Sequence, residues 1–115
     1  MYKLEIYAPE SALEDIQKAL LEMDAGRLGN YKGCLSYYPV TGVWFSGENA
    51  NPAIGSPGEW SKEPEIKIEV NVENTNVEKT VEAIRNVHPY EEPLINVVQL
   101  SPLQKWHIKK NQIMY

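Results

Sequence analysis

Residues 66–100, IKIEVNVENTNVEKTVEAIRNVHPYEEPLINVVQL, hold a strand, a helix, a corner and a second strand in succession. Ile66, Ile68, Val70 and Val72 alternate with Lys67, Glu69 and Asn71, the period of a strand with one face buried. Thr75 followed by Glu78 reads as a capping box, and Val77, Val81, Ile84 and Val87 recur at helical spacing. The corner is HPYEEP, residues 88–93. Proline fixes its own φ and pushes the residue before it toward extended geometry, so His88 ends the helix and Pro93 leads into a strand. Residues 94–100 are apolar at nearly every position. A strand open to water on one face alternates, so this run predicts a covered second face and therefore an oligomer.

The flanking sequence extends the pattern toward the N-terminus. Residues 2–8 read as a strand with Tyr2, Leu4 and Ile6 on one face, and Pro9 breaks it. Ser11 with Glu14 forms a second capping box, Leu13, Ile16, Leu20 and Met23 give an apolar stripe, and Gly26 closes that helix. Residues 34–39 and 43–46 read as two strands joined in a hairpin at Thr41-Gly42, and residues 47–58 as loop. The order β-α-β-β-β-α-β predicts an α+β fold: a ferredoxin-like (split βαβ) antiparallel sheet, two helices on one face and an inserted β-hairpin. One domain is expected over residues 1–100. The C-terminal extension, 101–115, carries Trp106, Ile108 and Ile113, and is expected to pack on its own or a neighbouring subunit.

The 115 residues are 43% hydrophobic and 23% charged, enough chain for one core and no second. A net charge of -5 argues against nucleic acid as a partner, because phosphate binding needs a basic face. No apolar run approaches the ~20 residues of a membrane span, and no signal-peptide core stands at the N-terminus. Cys34 is the single cysteine, which fits a reducing cytoplasm and reads as a small buried hydrophobe.

Three separated motifs carry a family resemblance: residues 8–34, APESALEDIQKALLEMDAGRLGNYKGC; VTGVW and ENANPAIG within residues 40–55; and HPYEEP. The chain resembles the YqfO-type domain, an insert of many Nif-three-like proteins that also occurs alone, over about residues 2–100. Asp24 and Val40 stand where that family usually has glycine, and Trp44 where it has phenylalanine. The family is similar to the CutA and PII proteins, so the resemblance implies trimers of ferredoxin-like subunits. It also implies that the two-metal centre of the long proteins belongs to their flanking domains, since none of those ligands has a position here.

The candidate sites follow from these motifs. His88, Glu91 and Glu92 offer an imidazole and two carboxylates to a divalent metal ion, with too few ligands for a closed site in one chain. The plainer reading has His88 capping carbonyls at the helix end and the glutamates binding loop amides. Arg27, with Asn30 and Tyr31 in AGRLGNYKG, suits a phosphate or a carboxylate such as that of Glu91, and the second option is preferred. Asn49 and Asn51, in a loop near Trp44 and Trp60, suit ligand recognition or a subunit interface, as does Tyr90. No nucleophile with its base is recognisable. The expected function is a non-enzymatic, cytoplasmic, trimeric module of CutA/PII type that binds a small ligand or a protein at subunit interfaces. The alternatives are a divalent-metal binder using the HPYEEP corner and a small hydrolase-associated protein.

Overall fold

The computed structural model describes residues 1–102. It contains β1 (Tyr2–Ala8), α1 (Leu13–Glu22), β2 (Leu35–Phe45), β3 (Trp60–Val72), α2 (Val77–Val87) and β4 (Ile95–Gln99). The sheet order is β2-β3-β1-β4 and every neighbouring pair is antiparallel. This is the four-strand, two-helix α+β plan of the ferredoxin-like kind. Leu4, Ile6 and Ala8 of β1 and Ile66, Ile68, Val70 and Val72 of β3 form one sheet face, buried with Ile16 and Leu20 of α1 and Ile84 of α2. The period-2 and period-3.6 patterns of the sequence meet in that single layer.

Helix entry and exit differ from the sequence expectation. Neither capping box forms: a 3-10 turn (Glu10–Ala12, then Asn74–Asn76) leads into each helix without a side-chain cap. The turns satisfy first-turn donors through the backbone, as in Ala12 N–H to the Pro9 carbonyl at 2.9 Å. In α2 the fully buried positions are Ile84 and Thr80, the Thr80 hydroxyl donates to the Asn76 carbonyl at 2.6 Å, and Val87 is exposed. A threonine that returns its hydroxyl to the preceding turn is apolar enough to face a core.

The left-handed residue that closes α1 is Asp24 (φ 59), and Gly26, also left-handed (φ 70), lies two residues beyond it. Asp24 N–H reaches the Leu21 carbonyl and Ala25 N–H the Leu20 carbonyl, the double bond of a Schellman cap. Gly26 serves a different purpose. Its N–H donates to the Asn71 carbonyl at 2.8 Å and its carbonyl accepts from Cys34 N–H at 2.9 Å, so it ties the loop after α1 to β3. Cys34 itself is exposed, not buried.

The inserted hairpin at Thr41-Gly42 does not exist. Both residues lie inside one continuous strand, opposite Pro64 and Glu63. A two-residue hairpin turn needs φ > 0 at its centre, and threonine resists that. The glycine is there for clearance, because a Cβ at position 42 would collide with the Glu65 carboxylate.

The hairpin that does form joins β2 to β3 through residues 46–59, and its far half leaves the sheet. Only Ile66–Val72 of β3 pair with β1, so residues 60–65 pair with residues 40–45 of β2 alone. The ribbon makes the molecule long, 58 × 24 × 21 Å with a radius of gyration of 16.4 Å, against about 13 Å for a compact chain of 100 residues. At the other end Tyr2 pairs with Gln99, and Leu100 N–H donates to the Met1 carbonyl at 3.1 Å. The extension beyond residue 102, with its expected packing, lies outside the described residues.

Candidate functional site

The HPYEEP corner turns where β1 ends and the ribbon begins. His88 is buried there. Its Nε2 donates to the Tyr7 carbonyl at 2.7 Å, and its Nδ1 accepts from the Tyr90 N–H at 3.1 Å. The two partners together fix the neutral, Nε2-protonated tautomer. His88 therefore bolts the corner to β1, rather than capping the α2 carbonyls. Tyr90 is set by this bolt: its ring lies 5.0 Å from the imidazole and 5.8 Å from Trp44. Its hydroxyl donates to Glu65 Oε2 at 2.8 Å. Burial, with that bond to Glu65 beside it, pushes the Tyr90 phenol well above its ordinary range and keeps it a donor. Glu91 Oε1 accepts from the Asn51 N–H at 3.0 Å, so one corner glutamate does bind a loop amide.

These contacts wall a groove of about 480 Å³. Val40, Gly42 and Trp44 of the ribbon form one side, Ala50, Pro52 and Ile54 of the 46–59 loop another, and Tyr90, Glu91 and Glu92 a third. Tyr7, Glu65 and Leu94 complete it from the sheet. VTGVW and ENANPAIG, within residues 40–55, and HPYEEP, residues 88–93, thus meet around one space.

The other candidates lie elsewhere. Arg27 pairs with Asp24, its own neighbour, at 2.9–3.0 Å, and not with Glu91. It borders a shallower depression with Met1, Lys3 and Glu69 at the opposite end of β1. Asn30 and Tyr31 sit in the exposed turn beside it, where Leu28 and Tyr31 form an isolated bridge. Asn49 is exposed at the start of the groove loop. For a metal ion, His88 has no ring nitrogen left uncommitted, and no three metal-ligating side chains gather among the described residues. Glu65 escaped the sequence reading, because a glutamate in phase with Lys67 and Glu69 looks like part of a solvated strand face. Gly42, diagonal to it across the ribbon, was the available signal.

The sheet face away from the helices is charged at its centre and aromatic at its edge. Lys3 pairs with Glu5 at 3.1 Å and Glu69 at 3.0 Å, and Lys67 lies 3.6 Å from Glu5. Lys67 also stands over the Tyr7 and Tyr38 rings. The second face that the apolar run at residues 94–100 predicts to be covered is mixed in character: on β4, Val98 and Asn96 lie on this face, while Ile95 and Val97 turn to the helix side.

The corner makes the protein acid-sensitive. Burial lowers the His88 pKa from its usual 6.5, and the Tyr7 carbonyl and Glu65 oppose this only in part. The unfolded chain therefore takes up this proton at a higher pH than the folded one. The contribution of a neutral His88 is complete above about pH 6.5 and is lost as pH falls toward the depressed folded value. Thermal melts of wild type are expected to decline as pH falls below about 6.5, and those of His88→Gln to decline less over the same range.

No protein-family model matches the chain. A GTP cyclohydrolase 1 type 2 homolog of Listeria monocytogenes is 37% identical over 99 residues, 85% of this chain and 26% of that protein. Among solved structures, a Bacillus cereus protein related to NIF3 superposes with a TM-score of 0.76 at 28% identity, over 87% of this chain and 25% of that one. CutA of Pyrococcus horikoshii superposes with a TM-score of 0.69 over 93% of this chain and 91% of its own, at 16% identity. The chain resembles one stretch of the Nif-three-like proteins and has the fold of CutA. It spans about a quarter of the length of the curated relatives it matches. The CutA likeness speaks for the fold alone, and no helix among the described residues is long and apolar enough to cross a membrane.

Proposed function

We propose that this domain is a non-enzymatic, trimeric, cytoplasmic module of CutA/PII type that binds a small ligand in the groove beside a subunit junction. The convergence of the ribbon, the 46–59 loop and the HPYEEP corner on one space carries the proposal. Small-molecule sites are typically concave, mostly apolar and furnished with a few fixed polar groups. Glu65 and Glu91 are fixed in this way by Tyr90 and Asn51.

The ribbon supports the assembly half of the reading. Two strands alone are marginal in water, and this pair exposes Val43, Phe45 and Trp60, with the last two rings 5.3 Å apart. A neighbouring copy packed on that side would cover them. The groove's own groups favour binding over chemistry: the Tyr90 phenol is held protonated and the His88 imidazole is locked by both nitrogens. The activity in the relatives' name is assigned by this reading to the portion of those proteins outside the matched quarter.

Native mass spectrometry of untagged protein tests both halves. A trimer carrying a non-covalent small-molecule adduct, lost in Trp44→Ala, is expected. A monomer at micromolar concentration rejects the assembly, and a trimer that retains nothing from cell extract rejects the ligand.

A further inference from the structure

We infer that the groove selects organic cations: amine, amidinium or guanidinium compounds with a short apolar or flat body. This rests on reading the groove as a ligand site. Three carboxylates, those of Glu65, Glu91 and Glu92, border it, and among the described residues no lysine, arginine or histidine does. On the same strand Lys67 is engaged with Glu5, Tyr7 and Tyr38, and neither it nor Lys62 lines the groove. An anionic ligand such as a phosphate ester would meet three like charges and no counter-charge.

The glutamates are not a loose acidic patch. Glu65 is only 8% exposed, lies across Gly42 and has Oε2 held by the Tyr90 hydroxyl. Glu91 is oriented by the Asn51 amide, and Glu92 stands at the rim in none of the ion pairs of the described residues. Fixed charges of this kind attract a cation without first having to be ordered. Trp44 and Tyr90 lean together at 48° and present ring faces and edges to the same space. A cation over an aromatic face, Trp best of all, gains from the ring quadrupole, and the flat body of an amidinium can stack there. A bare metal ion fits less well: the remaining walls are mostly apolar, Val40, Pro52, Ile54 and Leu94 among them, and no three metal-ligating side chains gather among the described residues. The volume of about 480 Å³ suits a molecule of metabolite size.

Titration of the ¹⁵N-labelled full chain with benzamidine, agmatine, benzamide and benzoate tests the inference by NMR. Benzamidine and agmatine are expected to move the Trp44 indole and the Asn51 amide, and benzoate to leave both unmoved. Binding should weaken with added salt. Glu92→Gln should weaken benzamidine roughly two- to fivefold as a rim charge, and Glu65→Gln on the order of tenfold or more as a buried one. Benzoate or benzamide binding in the groove as well as benzamidine does overturns the cation inference and leaves the groove as a ligand site. No groove shift with either cation also overturns it, and the adduct measurement on Trp44→Ala then decides separately whether the groove binds anything.

Discussion

Gly26→Ala will lower the stability of the domain by about 3 kcal/mol, the sum of a left-handed backbone strain near 1–2 kcal/mol and overpacking of a similar size. Gly26 has φ +70, and a Cβ there would stand 2.5 Å from the Cys34 nitrogen and 2.6 Å from its carbonyl oxygen. Those are backbone atoms of a segment already bonded to Gly26 on the same side, so nothing flexible can yield. Gly33→Ala is the control. It shares a positive φ of 62, but its Cβ would meet only the Leu21 side chain at an ordinary 3.5 Å. It should therefore show the backbone strain alone. Urea unfolding of the two variants measures the difference, and equal losses would remove the steric half of the account.

His88→Ala will cost about 2–4 kcal/mol, because it empties a buried volume and leaves the Tyr7 carbonyl and the Tyr90 N–H without their partner. The loss extends beyond stability. Tyr90 reaches Glu65 and Trp44 from the position that His88 gives it, so the groove wall should loosen with the corner. Chemical-shift changes at Trp44 and Asn51 in the folded fraction of His88→Ala are expected to exceed those in α1. A variant that melts like wild type with an unchanged Trp44 environment would show that the corner is held by its prolines alone.

The core was legible in the sequence because burial imposes periodicity. Leu4, Ile6, Ile66, Ile68, Val70 and Val72 alternate as half-buried strands must, and each is buried. The helices were found from the same signal, but their starts were misread: a serine or threonine three residues before a glutamate marks a capping box only if the chain does not first tighten into a 3-10 turn. Gly42 was misread for a related reason. A glycine in sequence reports freedom of the backbone or absence of a side chain, and only the position of Glu65 tells which is in use. The corner was recognisable as a site, yet its chemistry was not. His88 looks like a ligand in sequence because nothing local reveals that Tyr7, 81 residues away, accepts its proton. Arg27 and Glu91 were paired by analogy between motifs, and the strand β1 separates them.

The contact between Met1 and Leu100 has a consequence for how such a unit travels between proteins. With Met1 and Leu100 side by side, a longer polypeptide can enter and exit through one doorway, and the splice asks it to hold open little more than the width of two strands. The groove end faces away from that seam, about one strand length off. Insertion at the seam therefore leaves the recognition end unhindered, in keeping with relatives in which the matching stretch is about a quarter of the whole.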